Sequence, residues 1–307
     1  MANILVVGSM NMDIVTQVER HPVPGETIQG RETGFFIGGK GANQAVAAAR
    51  SGASVAMAGG LGSDSFGRDI RKKLAEDRID LGLVAEKPAA TGVALIAIDK
   101  AGENNIILSA GANGAYGEKD VDGLHLSGYD AILLQNEISP AASRRMLDRA
   151  EEASIPVFMN PAPIAGFDRA DLSKISFLIV NEIEAEELSG IRIDGIGKAR
   201  QAGKQLLEAV PHLVITLGGK GSLYMDRAGT EIETPAFAVH VVDTTAAGDT
   251  FIGAFAATYL AGAELAESLR YATAASALAV SAAGAQSSIP PEEQVRAFLE
   301  NEESAAG

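Results

Sequence analysis

The stretch "DTTAAGDTF", Asp243 to Phe251, sets one carboxylate behind a run of small residues and ahead of a helical pattern. Ala246, Ala247 and Gly248 strip the turn of side chains, so the backbone amides opening the next helix are left uncovered. Such amides, with the helix dipole behind them, favour negative charge. Phe251, Phe255 and Tyr259 recur at four-residue steps and predict a helix from Gly248 to Ala261, packed on one face, with Asp249 in its first turn. Taken alone, Asp249 is equally an ordinary helix-start carboxylate, a choice that stabilises a helix by roughly 0.3–1 kcal/mol. The rest of the chain decides whether it has reactants.

Ahead of this stretch, short β-type runs alternate with helical patterns over most of the chain. Strands are expected at Ile4 to Val7, Val55 to Ala58, Ala131 to Gln135, Pro156 to Met159, Phe177 to Val180 and Leu213 to Thr216. Helices are expected over 43–51, 66–77, 141–153, 182–189, 198–209, 248–261 and 264–283. Nearly all-apolar strands separated by helices imply a mostly parallel sheet covered on both faces, a three-layer α/β/α sandwich. Two segments break the alternation. Residues 14–37, around "HPVPGE", read as extended pieces, and residues 91–109 read as a hairpin turning at Lys100 to Asn104. With no helices to cover them, their simplest home is a small separate β-sheet lid, reached twice by the chain; edge strands of the main sheet are the alternative. The main domain then comprises 1–13, 38–90 and 110–307. The last residues, "ENEESAAG", read as a frayed tail.

Composition narrows the function classes. A chain of 307 residues with 47% hydrophobic and 21% charged residues is long enough for a large core. The 25 Lys and Arg against 40 Asp and Glu leave a formal net charge of −15, which argues against nucleic acid or anionic membrane as a general partner. The absence of cysteine excludes disulfides, thiolate zinc sites and a cysteine nucleophile, and none of the four histidines is spaced as a metal pair. The amino end has no basic leader, and no run approaches ~20 apolar residues, so a cytoplasmic enzyme or binding protein is expected. Although glycine is plentiful, each Gly-x-Gly pair lacks the third glycine of a dinucleotide fingerprint. No Gly-Lys pair is followed by Ser or Thr, as a P-loop requires, and no G-x-S-x-G elbow occurs.

What remains are polar groups at strand ends, where open α/β sheets bind ligands. Asn11 and Asp13 in "GSMNMD" lie two apart and point the same way in an extended segment; they suit a sugar diol or, equally, a turn. In "GGKGANQA", Gly38, Gly39 and Gly41 permit close backbone approach while Lys40 and Asn43 offer donors. "LLQNE" and "FMNPAP" each end an apolar strand in polar residues. Asn181 and Glu184 in "NEIEAEEL" share one face of a helix start; this is ordinary at a helix terminus, and it is also a place for hydrated Mg²⁺. In "TLGGKG", Thr216 to Gly221, a hydroxyl and three glycines suit either a nucleotide site or a hairpin turn.

Read in order, these segments resemble the ribokinase-like family of sugar and nucleoside kinases almost end to end. The resemblance also takes in "ATGVAL" at 90–95, "GAN" at 111–113, "NPAP" at 160–163 and "GAQSSIP" at 284–290. It implies an α/β sandwich with a small β-sheet lid through which two subunits form a homodimer. By the same resemblance Asn11, Asp13, Gly39, Lys40, Gly41, Asn43 and Glu137 hold the sugar, Asp249 is the catalytic base, and Ala246, Ala247 and Gly248 supply the anion hole. ATP falls to Asn181, Thr216, Leu217, Gly218, Gly219, Lys220, Gly221, Gly248 and Thr273, and Glu184 to Mg²⁺ and phosphate. A monovalent cation, usually potassium, falls to Asp243, Thr245, Ala279, Ala282, Gly284 and Ser288. The sequence departs from the family at Ala282, where a basic residue is frequent, and at Thr273, often histidine or asparagine. The implied reaction is phosphorylation of the 5-hydroxyl of D-ribose by ATP. Another sugar, a ribonucleoside, or a non-catalytic sensor on the same fold are the alternatives.

Overall fold

The apolar runs become strands of one broad sheet. A computed structural model describes residues 1–306. The strands are β1 (Asn3–Val7), β2 (Asn11–Val18), β3 (Gly30–Gly38), β4 (Ser54–Gly62), β5 (Asp80–Lys87), β6 (Gly92–Ile98), β7 (Asn104–Ser109), β8 (Ala131–Gln135), β9 (Val157–Asn160), β10 (Phe177–Asn181), β11 (His212–Thr216), β12 (Ser222–Asp226) and β13 (Glu231–Thr234). The helices are α1 (Lys40–Arg50), α2 (Ser65–Glu76), α3 (Glu118–Asp122), α4 (Pro140–Ala153), α5 (Glu182–Ser189), α6 (Ile196–Leu206), α7 (Ala247–Leu260), α8 (Leu265–Val280) and α9 (Glu292–Ala306).

Nine strands form the main sheet in the order β13-β12-β11-β10-β9-β8-β1-β4-β5. All its pairings are parallel except β11 with β12 and β12 with β13. Alternation along β1 shows the three layers. Ile4 and Val6 face a core built with α1, α7 and α8, whereas Leu5 and Val7 face a second core built with α4, α5 and α6. The aromatic stripe of α7 reaches the first core, where Phe255 lies 6.1 Å from Phe158 and Tyr259 5.1 Å from Phe177, ring centre to ring centre.

The helix-free segments form a sheet of their own, in the order β3-β2-β6-β7, with β2 and β6 parallel and the outer pairs antiparallel. They are not edge strands of the main sheet. This small sheet begins at Asn11 and includes Gly38, so Asn11 and Asp13 are carried on it rather than ahead of it. Several elements escaped sequence reading: β5, the hairpin strands β12 and β13, and the helices α3 and α9. The last of these makes the expected frayed tail helical to Ala306; Gly307 lies outside the described residues. The glycines of "TLGGKG" do make a hairpin turn, between β11 and β12. No helix of the described residues is long and apolar enough to cross a membrane.

Candidate active site

α7 opens without a cap. Ala246 precedes its first turn at φ +60°, and no side chain hydrogen-bonds to the helix start. Among the described residues the amides of Gly248 and Asp249 have no backbone acceptor outside the helix either, so they stay free for an anion. Asp249, 7% exposed, does not turn back onto these amides. Its Oδ2 accepts from Nδ2 of Asn43 and its Oδ1 from Nε2 of Gln44, each at 3.0 Å. That geometry separates it from an ordinary helix-start carboxylate: it is held from across the helix interface by the first turn of α1.

α1 begins where the glycines of "GGKG" allow. Gly39 sits at φ +90°, and a Cβ there would lie 2.8 Å from the Asn11 amide. A Cβ on Gly38 would lie 2.0 Å from Oδ2 of Asp13. The bare backbone thus brings Asp13, Lys40 and Asn43 into one place. Burial works to lower the Lys40 ammonium, but the charges of Asp249, Glu137 and Glu184 outweigh it and hold the group above its usual range. Burial, with the Glu137 and Asp249 carboxylates close by, pushes Asp13 up to about 7. Burial also raises Glu137, against the opposing pull of Lys40 and the hydrogen bond from Ser9. Glu137 Oε2 accepts from the Ser9 hydroxyl at 2.5 Å and the Lys40 amide at 3.2 Å. Asn43 keeps a buried Oδ1 with no partner among the described residues, an acceptor available to a ligand hydroxyl. Asn11 is less free, since Nδ2 of Asn113 donates to its Oδ1 at 2.8 Å.

Two adjoining cavities flank the start of α7. The smaller, about 200 Å³, is lined by Lys40, Glu184, Asn160, Thr216 and the Ala246–Asp249 turn. The larger, about 620 Å³, is walled by Phe237, Val239, Phe251 and Val280, with Thr273 and the Gly218–Gly219 turn at its rim. Asn181, Thr216, Ala247 and Gly248 line both, so a polyanion at the free amides and a flat apolar group beyond them fit end to end. Asn181 and Glu184 form a capping box: Asn181 Oδ1 accepts from the Glu184 amide at 2.8 Å, and Glu184 Oε2 accepts from the Asn181 amide at 3.0 Å. Nδ2 of Asn160 donates to the same Oε2 at 3.0 Å, which leaves Oε1 without a protein partner among the described residues. One carboxylate oxygen facing solvent suits a hydrated Mg²⁺ rather than a protein cage.

The expected cation residues come together only in part. Asp243 Oδ1 accepts from the Thr245 amide and hydroxyl at 2.9 and 2.7 Å, and its Oδ2 from the Gly284 amide at 2.9 Å. Burial raises this carboxyl, but those hydrogen bonds prevail and hold it below the usual range, so it stays charged. The Val242 and Asp243 amides reach the Val280 carbonyl, placing Ala279 and Ala282 beside this loop; Ser288 is occupied locally, donating to the Ala285 carbonyl at 2.8 Å. The charged Asp243 carboxylate, although it already accepts three hydrogen bonds, is what this loop offers a monovalent cation. Two expected nucleotide residues do not line the cavities. Leu217 is buried, and Lys220 leans outward to Glu182 at 3.8 Å. The sequence reading missed Ser9, Gln44, Asn113, Gln135 and Asn160 as site residues. Each stands in or beside a segment quoted above, but its partner lies far along the chain.

The family described as pfkB family carbohydrate kinase matches residues 1–292. A ribokinase of Haemophilus influenzae is 37% identical over 302 residues, 96% of this chain and 98% of its own length. A deoxyribokinase of Salmonella typhimurium is 33% identical over 302 residues, 97% of this chain and 98% of its own length. The structure of an Arabidopsis thaliana ribokinase complexed with ribose and ATP aligns with a TM-score of 0.89 at 31% identity, covering 98% of this chain and 99% of that one.

Proposed function

The chain belongs to the pfkB family of carbohydrate kinases, and from that premise we propose that it transfers the γ-phosphoryl group of ATP to the 5-hydroxyl of D-ribose, giving D-ribose 5-phosphate and ADP. The observation that carries this reading is the carboxylate of Asp249, gripped by two amides on α1 and set beside the uncapped start of α7. Asp13, Lys40 and Asn43, with Glu137 behind Lys40, anchor the ring hydroxyls and leave the 5-hydroxyl at Asp249. As that oxygen forms its bond to the γ-phosphorus, its proton passes to Asp249, and the bond from the γ-phosphorus to the bridging oxygen breaks to release ADP. The free amides of Gly248 and Asp249 hold the charge that builds on the transferring group, whereas the expected Ala247 amide is engaged with the Thr244 carbonyl at 3.3 Å.

Nucleotide binding falls to Asn181, Thr216, Gly218, Gly219, Gly221 and Thr273. Glu184, whose Oε1 has no protein partner among the described residues, would hold Mg²⁺, which would supply the charge that neutralises the phosphates. Asp243, Thr245 and the carbonyls near Ala279 and Ala282 hold a monovalent cation, with potassium the best fit. The small sheet, 11–38 and 92–109, acts as a lid that excludes water as a competing acceptor and pairs two subunits into a homodimer. The protein works in the cytoplasm on small molecules.

The deoxyribokinase relative favours one second reading, deoxyribose as an acceptor. A coupled ADP-release assay across ribose, deoxyribose, fructose, adenosine and pseudouridine, with and without potassium, separates these. Turnover highest on ribose, with potassium stimulation, is expected; turnover confined to nucleosides overturns the proposal. Asp249→Asn is expected to lower kcat by about three orders of magnitude or more while calorimetry still registers sugar binding. Near-normal turnover removes Asp249 from its role.

A further inference from the structure

We infer that Gln44 and Gln135 are positioning residues: a relay of two buried amides that fixes the Asp249 carboxylate in its working orientation. The inference rests on the reading of Asp249 as the base. Gln44 follows Asn43 on α1 and is wholly inaccessible. Consecutive residues of one helix therefore send one N–H to each oxygen of the carboxylate, Asn43 to Oδ2 and Gln44 to Oδ1, both at 3.0 Å. Two donors from a single rigid helix define the plane of the carboxylate as well as its place.

A primary amide has a donor end and an acceptor end, so Gln44 alone could turn over. Turned, it would set its oxygen against Oδ1 of Asp249, acceptor facing acceptor. Gln135, at the end of β8 and also inaccessible, opposes this: its Nε2 donates to Oε1 of Gln44 at 2.7 Å. The relay runs in one sense, from Gln135 to Gln44 to Asp249. It ends at Oε1 of Gln135, which has no partner among the described residues and rests where a Cβ on Gly8 would stand 1.9 Å away. Polarity is therefore imposed from the anionic end: a carboxylate demands a donor, which turns the Gln44 oxygen toward Gln135, which must then donate. Neither glutamine lines the two cavities, so each acts through another residue rather than on a ligand. The charged groups around the carboxylate, Lys40 on α1, Asp13 on β2 and Glu137 after β8, are not part of the relay.

The test compares Gln44→Met, Gln135→Met, their combination, Asp249→Asn, and Asp249→Asn with Gln44→Met, by steady-state kinetics with the pentose that the parent chain turns over best. A 1 Å misplacement of a reacting group can cost about a hundredfold in rate. Gln44→Met is accordingly expected to lower kcat by about 30- to 100-fold, and Gln135→Met by about 10-fold, with sugar KM changed less than about threefold. The double variant should be no slower than Gln44→Met. Adding Gln44→Met to Asp249→Asn should change the residual rate less than about twofold. A single-variant kcat within about twofold of the parent, losses that multiply in the double, or an undiminished loss in the Asp249→Asn background each overturn the relay. Thermal midpoints and calorimetric sugar titrations identify any variant that fails to fold. If Gln44→Met does so, Gln135→Met decides, since it leaves both direct contacts to Asp249 in place. A parent chain that phosphorylates no pentose or nucleoside overturns the base reading itself, a result separate from an active parent with unaffected variants.

Discussion

At Asp13, burial and like charge act together. The folded chain keeps its carboxyl protonated up to about 7, against an ordinary 3.8. Between those values the folded state holds a proton that the unfolded chain has released. The stabilisation is therefore complete below the ordinary value and lost as pH rises through the folded one. Asp13→Asn, close in shape to the protonated acid, is expected to raise the thermal midpoint modestly at pH 5, inside the window where the parent has begun to lose stability, and more at pH 8.5, where it removes a buried charge facing two others. Scanning calorimetry at the two pH values checks this, and equal shifts would contradict it; sugar affinity should fall at both. Residues of this kind were partly legible. Asp249, Lys40 and Asn43 stand beside clustered glycines and alanines that leave the backbone bare, which is a local signal. Gln44 was not legible, because what gives it meaning is an oxygen 205 positions away. The Asn113 to Asn11 bond, spanning 102 positions, escaped for the same reason.

Among the elements, the crossing of α1 and α7 matters most, since it sets Asp249 against Asn43 and Gln44. Gly253 makes that closeness possible: a Cβ there would lie 2.5 Å from the Gln44 carbonyl oxygen and 2.6 Å from Cβ of Ala47. Gly253→Ala should force the helices apart, destabilising the fold by about 1–3 kcal/mol in urea denaturation and lowering kcat with little effect on nucleotide KM. An unchanged kcat would mean that the site tolerates the shift. Buried strands such as β1, β8 and β10 announced themselves as continuous apolar runs, and α7 as an aromatic stripe. β5 did not, because it is an edge strand and largely accessible. Nor did β12 and β13, which return antiparallel where alternation with helices led one to expect another crossover. α9 escaped because its acidic, small-residue end looks like a solvated tail, whereas Val295 anchors it in the core.

For the whole molecule, the small sheet offers more apolar surface than a monomer needs. Phe35, Ile14, Leu95 and Ile107 stand in register across its four strands, with Phe35 60% and Ile107 67% exposed. Ile14 is partly buried against the first core, but Phe35, Leu95 and Ile107 are exposed beside it, and bare apolar groups of this kind suit the proposed subunit contact. Ile107→Lys is expected to shift the mass by light scattering from dimer to monomer while leaving the circular dichroism spectrum intact; an unchanged dimer would place the subunit contact elsewhere. Two helix-free segments betrayed the existence of this sheet in the sequence, but which row would stay bare depends on a pairing register that no single segment contains. One consequence concerns Asp13. It stands inside β2, opposite Phe36 and Ala94, two residues beyond the first residue of a strand that belongs wholly to the small sheet, while Asp249 stands on α7, which packs against the large one. Any rigid rotation of the small sheet carries Asp13 with it. If the small sheet closes as the proposed lid, gripping the acceptor and roofing it over become one mechanical coordinate: enclosing the site then also aims a carboxylate at whatever lies inside.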